Sequence, residues 1–408
     1  MILRRLAPLL VAVAWLAGCA PNLPFAVDGV VPPPVVVADG SPERRALNAR
    51  VYDAAVGYVA EHYYDRDLRG VDWAGEAAAR REAAIAEPTE QGFYARMHPL
   101  FDLLDDRHTS VTSPSRRAEL HASRLGQSGA GLGLSATRIG DDWIVTRVRE
   151  EGPAVAAGVQ VGWRIVTVDG RPELLAVTPA LGRTYAFVFE DENGATRAMD
   201  ITAVDLPPRP LQEATRRDDG VVVLRFDRFD DAAVAWLETQ IAAFQADPPR
   251  GVILDVRDNG GGLLASLGQI VAMLHRDQVA YARQKGRFID TEYVTRPRET
   301  VWTGPVAILT GPASGSASEL LAAHLQEFDR GLVVGQTSAG AVIGSRYVEL
   351  ADGGVLSLSL NIILTPRERR SLEGVGVTPD LVVEPSLADR RAGRDVVLEA
   401  AVAALLAD

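Results

Sequence analysis

Three short, mostly apolar runs, each closed by a turn or small-residue loop and followed by a helical pattern, constrain this chain more than any other feature. They are VVVLRF (221–226), GVILDV (251–256) and VAILT (306–310). None alternates apolar with polar residues, so strands made from them are buried on both faces. After the first, Val234, Leu237, Ile241 and Phe244 recur at helical spacing; the second is followed by RDNGGG (257–262) and a helical pattern to about His275; the third runs into GPASGS (311–316) and a further helix. Buried strands alternating with helices predict a parallel βα-repeat sheet of the α/β class. Ligand chemistry is expected at the strand C-terminal ends, where both glycine-containing loops fall.

Around this core, 408 residues leave room for two or three domains, and 47% hydrophobic with 24% charged residues is ordinary for a globular protein. Lys and Arg number 42 against 54 Asp and Glu, a net charge of −12, and no stretch beyond residue 20 concentrates basic side chains. That balance argues against a nucleic-acid partner. Residues 1–19 hold two arginines, an apolar run from Leu6 to Leu16, and then Ala17-Gly18-Cys19. The run is too short to span a membrane and reads as a signal peptide. Leu16 to Cys19 resembles a bacterial lipoprotein lipobox, which implies lipidation of Cys19, the only cysteine, and a lipid anchor at a bacterial membrane facing the periplasm or the exterior. An ordinary secretory signal that discards Cys19 is the alternative. Residues 20–42, rich in Pro and Val, read as an extended tether.

From 43 to about 125 the pattern is helical, with Leu47, Val51, Ala55, Tyr58 and His62 at helical spacing. From 126 to 207, alternating strand segments, a Gly152-Pro153 turn and a short helix ending at Gly158 describe a small β-rich module. Gly131, Leu132, Gly133 and Leu134, followed by GPAVAAGVQVGWRIVTVDG, resemble a PDZ domain. The resemblance implies that N–H groups of this loop hold a peptide C-terminal carboxylate while the peptide adds a strand. A loop that merely turns the chain, in a module acting as a lid, is the other reading. Residues 208–408 complete the chain.

The segment GPASGSASELLAAHLQEF (311–328) places Ser314, Ser316 and Ser318 at the start of a helix. A serine there gains from the unpaired N–H groups and positive end of the helix. Ser316 with Glu319 also has the spacing of a capping box, and on this stretch alone it reads as a cap. Four segments in order, LDVRDNGGG (254–262), GSASELLAAHLQ (315–326), GLVVGQTSAG (331–340) and LEGVGVTPDLVV (372–383), resemble the carboxyl-terminal processing (tail-specific) serine proteases and the related tricorn core protease. With the PDZ-like module and helical region, the resemblance covers nearly all of residues 43 to 385. It implies a ClpP/crotonase-like protease core with an N-terminal helical region and an inserted PDZ-like module. It further implies polypeptide substrates, hydrolysis through an acyl-enzyme and no cofactor. Ser316 takes the nucleophile's position, and the N–H groups of Ala317 and Gly261, with Gly260 as an alternative, take those of the oxyanion hole.

The base departs from the better-known branch. The position of the family lysine is Ala341, and the only lysine of the chain, Lys285, lies in the polar stretch ARQKGRF. The tricorn-like branch implies instead a histidine ahead of the PDZ-like module and a glutamate beyond the nucleophile, matched by His108 in DDRHTS and Glu373 in LEGVGV. Histidine can accept the serine proton near neutral pH, and a carboxylate fixes its tautomer and stabilises the imidazolium. His324, on the serine's own helix, is the rival base by proximity, although two turns along it should point away. Arg107 stands where tricorn has a serine. A scaffold that kept the fold and lost catalysis with its lysine, and a hydrolase of non-protein esters, are the competing readings. The histidines and the single cysteine lack metal-ligand spacing, and the glycine loop lacks a P-loop lysine, so neither a metal nor a phosphate site is expected. Nothing in the sequence sets the oligomeric state.

Overall fold

The computed structural model describes residues 35–106, 108–118, 129–139, 142–171, 179–207 and 210–407. The signal peptide, Cys19 and most of the tether lie outside the described residues, as does Arg107. Among the described residues no helix is long and apolar enough to cross a membrane.

Three helices come first: α1 (Pro42–His62), α2 (Trp73–Ile85) and α3 (Glu90–Asp102). Each starts at a capping side chain, Ser41, Asp72 or Thr89, which accepts the N–H of Arg44, Gly75 or Gly92. The buried stripe of α1 is Leu47, Val51, Tyr52, Ala55 and Val59, whereas Tyr58 is exposed. The expected stripe thus slips by one residue at its C-terminal end, because a four-residue step from Ala55 lands on Val59. The core of these helices also takes in Leu356 and Leu358, far along the chain. That contact exists because the segment after α3 is not helical: Ser110–Thr112 forms β1, antiparallel to residues 355–357.

In residues 129–207, β2 (Gly129–Gly131) leads into β3 (Leu134–Ile139) and β4 (Asp142–Val148). The short α4 (Pro153–Ala156), β5 (Arg164–Val168), β6 (Thr184–Glu190) and β7 (Thr196–Thr202) follow. Strands β3 to β7 form an antiparallel sheet in chain order, and β8 (Val204–Leu206) returns to pair with β2. Val145, Trp163, Tyr185, Phe187 and Phe189 give this module a core of its own.

The remaining chain begins with β9 (Gln212–Arg216), β10 (Val221–Phe226), α5 (Asp231–Ala243), β11 (Gly251–Asp255) and α6 (Leu264–Ala272). A hairpin, β12 (Ala280–Gly286) and β13 (Asp290–Val294), precedes β14 (Val306–Thr310) and α7 (Ala317–Glu327). Then come β15 (Leu332–Gly335), β16 (Ile343–Glu349), β17 (Val355–Leu364), β18 (Leu381–Val382) and α8 (Val396–Leu406). Strands β10, β11, β14, β15 and β18 are parallel, with β9 antiparallel at one edge. Every residue of β11 and β14 is buried, as their apolar runs require. Leu224, Leu254 and Ile308 pack under α5, α6 and α7, while Ile253, Ala307 and Leu309 pack under α8. A second sheet, in the order β1-β17-β12-β13 with β16 also on β17, joins the first helices to the core.

Candidate active site

After β14, the chain turns through residues 311–316 into α7. Ser314 Oγ donates to the Val256 carbonyl at 2.8 Å and accepts the Gly311 N–H at 3.0 Å, while Ser318 Oγ donates to the Asn259 carbonyl at 2.8 Å. Both of these serines are fully buried, and only Ser316 retains solvent access. Its backbone, φ 53° and ψ −114°, costs on the order of 1–3 kcal/mol for a non-glycine residue and persists only where the surroundings impose it. They do so through its N–H, shared between the Ala341 carbonyl at 3.0 Å and Glu319 Oε2 at 2.8 Å.

Glu319 does more than cap the helix. Fully buried, its Oε2 also accepts the Ala341 N–H at 2.9 Å, and its Oε1 accepts the Gly340 N–H at 2.7 Å and the Ser338 hydroxyl at 2.6 Å. The carboxylate therefore ties the serine's turn to the 338–341 loop. Capping spacing revealed one of these bonds; the signal for the rest was an acid among the otherwise apolar and small residues 317–323 that open the helix, where a buried carboxylate needs donors on every side.

The glycine loop leaves β11 beside this turn. Arg257 pairs with Asp255 at 2.7 Å and with Asp395, the cap of α8, at 2.8 Å, and these carboxylates hold its guanidinium above the ordinary range against the effect of burial. At Gly261, φ is 103°, and a Cβ there would lie 2.6 Å from Ser316 Cβ and 3.0 Å from Ala317 N, so only glycine fits. The Gly261 N–H, expected to face an oxyanion, donates here to Asn259 Oδ1 at 2.8 Å, in a local side-chain turn. No acceptor among the described residues lies on the N–H of Ala317 or of Gly260.

His108 arrives from the other end of the chain, just ahead of β1. Asp106 Oδ1 accepts the His108 N–H at 2.9 Å, its Oδ2 accepts the Thr109 hydroxyl at 2.7 Å, and Thr109 Oγ accepts the Ser359 N–H of β17 at 3.1 Å. Glu373 Oε2 accepts the Val342 N–H at 2.7 Å, next to the residue whose carbonyl holds Ser316, and its Oε1 lies 4.0 Å from His108 Nδ1. His108 and Glu373 thus meet at the Ala341–Val342 segment that also anchors the serine. Among the described residues no hydrogen bond joins His108 to Ser316, and Nδ1 is buried without a partner. Long contacts of this kind are common in unliganded active sites. Burial holds the Glu373 carboxyl above the usual carboxylate range, with the charges of Asp106 and Glu319 adding to it and the Val342 N–H and His108 opposing. Asp106, His108 and Glu373 each bring a ligand atom within 4.8 Å of the others, a set able to hold a metal ion. Spacing in the sequence gave no sign of it, because the fold supplies the proximity.

His324 lies elsewhere. It is fully buried, with Nε2 2.8 Å from His275 Nε2 and its ring stacked on Phe328, and burial pushes its pKa down to about 3. Lys285 is exposed on β12, opposite Asp290 and Ile362. In the β module, Gly131, Leu132, Gly133 and Leu134 line a cavity of about 350 Å³ with Arg149 and Phe187. Arg147 of β4 pairs with Asp258 of the glycine loop at 2.6 Å.

A serine held on a strained turn at the head of a helix, with a glycine loop pressed against it at the ends of parallel strands, has the architecture of a serine peptidase. Residues 220–383 match the model of peptidase family S41. The carboxy-terminal-processing protease of Bartonella bacilliformis is 26% identical over 305 residues, covering 72% of this chain and 70% of its own. The chloroplastic C-terminal processing peptidase of Tetradesmus obliquus is 27% identical over 364 residues, covering 81% and 76%. Among solved structures, the photosystem II D1 C-terminal processing protease shares the fold with a TM-score of 0.61 at 23% identity, over 83% of this chain and 94% of that one. The chain is a serine peptidase similar to the carboxyl-terminal-processing proteases of peptidase family S41, hydrolases that act on polypeptides.

Proposed function

We propose that this peptidase is an exported, lipid-anchored endopeptidase in which His108 and Glu373, rather than a lysine, activate Ser316, as in the tricorn-like branch. The observation that carries the reading is the convergence of His108, Glu373 and the Ser316 turn on Ala341–Val342, with the only lysine exposed on β12. Ser316 Oγ attacks the scissile carbonyl carbon as His108 takes its proton, and the Ala317 N–H receives the oxyanion. The glycine loop supplies the second donor, Gly261 serving once Asn259 releases its N–H. The imidazolium then protonates the departing amine, leaving an acyl-enzyme. Water, deprotonated by His108, attacks the ester, and the serine is regenerated.

The Gly131–Leu134 loop engages the substrate's C-terminus as in a PDZ domain, with Arg149 adding positive charge beside the cavity. Labelling of the purified protein with a fluorophosphonate probe, followed by peptide mapping, tests the mechanism. The adduct is expected on Ser316 and absent from the Ser316→Ala and His108→Ala variants; a protein that binds peptides and never labels would be the inactive scaffold instead. Anchoring is tested by metabolic labelling with a fatty-acid analogue, expected to vanish in Cys19→Ser.

A further inference from the structure

The environment of His108 contains a carboxylate that the triad does not account for. Its Nδ1 atom is buried, lacks a partner, and lies 3.9 Å from Asp106 Oδ1 and 4.0 Å from Glu373 Oε1. Two acids therefore flank one ring nitrogen at the same range, and they differ in how they are held. The Asp106 side chain is 0% exposed and clamped at both oxygens, by the N–H of His108 itself and by the Thr109 hydroxyl, which is in turn fixed to β17. Glu373 is 18% exposed, rests on a single backbone N–H from Val342, and stands on a turn flanked by Gly374 and Gly376, both at positive φ.

We propose that Asp106 is a second positioning residue for the histidine, a fixed carboxylate that with the more adaptable Glu373 brackets Nδ1. The proposal rests on the reading of His108 as the base. Because one Asp106 oxygen binds the backbone of the residue whose ring it faces, ring and carboxylate move as a unit. A carboxylate held in this way steers Nδ1 towards its protonated tautomer, leaving Nε2 free to accept the serine proton, whichever way Glu373 turns. Several other groups face the pair. At the end of α1, Tyr63 and Tyr64 have their hydroxyls held above the ordinary range, first by burial and then in part by Asp106. Arg69 pairs with the adjacent Asp105, and Glu319 lies behind Glu373.

The test is the second-order rate of fluorophosphonate labelling against pH, for the full chain and for Asp106→Asn, Glu373→Gln, the double variant and His108→Gln. Without the Asp106 charge the imidazolium is less stable, so the acid limb is expected to move to lower pH by about half a unit or more. Labelling at neutral pH should slow by about tenfold or more, and Asp106→Glu should recover part of both changes. If either carboxylate can serve alone, the double variant is slower than the product of the single losses. A merely structural aspartate would lower the melting temperature and leave the limb in place; a folded Asp106→Asn with the wild-type limb overturns the proposal. Should Asp106→Asn not fold, Asp106→Glu carries the test, since displacing the charge by one methylene must still shift the limb. Labelling that survives intact in His108→Gln would instead sink the base itself, whereas a limb that depends on His108 and ignores Asp106 sinks only the present inference.

Discussion

Val342 donates its N–H to Glu373 Oε2 at 2.7 Å, and the carbonyl of the same peptide group, that of Ala341, accepts the Ser316 N–H at 3.0 Å. Glu373 and Ser316 are thus referenced to the two sides of a single peptide unit. Small displacements of that segment move both groups together.

Ser316→Ala is expected to abolish labelling and peptidase activity with the fold intact. Ser314→Ala and Ser318→Ala should still label, because both hydroxyls serve buried backbone carbonyls; each carbonyl keeps a second donor, the N–H of Asn259 or of Gly315, so each substitution should lower stability by about 0.5–1.5 kcal/mol. Peptide mapping with denaturant titration separates the two effects, and an adduct on Ser318 would overturn the assignment.

Glu373→Gln should keep the fold and slow turnover by roughly two to four orders of magnitude, since an amide cannot stabilise imidazolium. The sign of the pH effect follows from its raised pKa. The ionised form is the one that works, so wild-type activity falls as pH drops through a value above the ordinary glutamate range. A profile of kcat/KM should show that component beside the His108-dependent limb, and Glu373→Gln should lose the Glu373 component alone.

Glu319→Ala removes the acceptor of four donors from a fully buried position, and Glu319→Gln leaves some of the same donors unpaired. A loss of about 3–5 kcal/mol is expected for the alanine variant, by analogy with breaking a buried charged pair. Urea unfolding measures it, and a change below about 1 kcal/mol would mean that water replaces the carboxylate at the turn.

Lys285→Met should leave turnover within a few-fold of wild type. The side chain is exposed on a strand, whereas a lysine base needs burial or a cationic neighbour to lose its proton near neutral pH. Complete loss of activity in a folded variant would restore a serine–lysine mechanism.

His324 gives a stability test that is independent of catalysis. Its pKa is pushed to about 3 in the fold, against an unfolded value near 6.5. Above pH 6.5 it is neutral in both states and contributes nothing to the pH dependence. Below that, the unfolded chain binds a proton that the folded chain refuses, so stability declines by up to about 1.4 kcal/mol per pH unit until about pH 3. Urea midpoints for His324→Phe across this interval should decline less steeply than those of wild type.

The apolar runs made the parallel sheet legible, since β11 and β14 could be buried on both faces only between layers of helix. Ser316, His108 and Glu373 were candidates through ordered motifs, and the fold brings the last two to 4.0 Å of each other. Asp106 and Asn259 were not: both act through hydrogen bonds two or three residues away, and such short-range polar pairs occur in ordinary turns throughout proteins. The bond from the Gly261 amide to Asn259 was hidden for the same reason, because a glycine-rich stretch shows that a backbone can come close but not which way its N–H points. The slip in the α1 stripe has another origin, the drift of a 3.6-residue turn against a short list of apolar positions.

The pairing of β1 with β17 also sets a schedule. Ribosomes deliver residues in order, so the histidine segment leaves the tunnel with no partner strand, and it must wait for Val355 to Ser357 before it can dock. At about 5–20 residues per second that interval is roughly 12 to 50 seconds, and Ser316 emerges within it. A nascent chain therefore holds its nucleophile before the base has a strand on which to settle, and Glu373 follows later still.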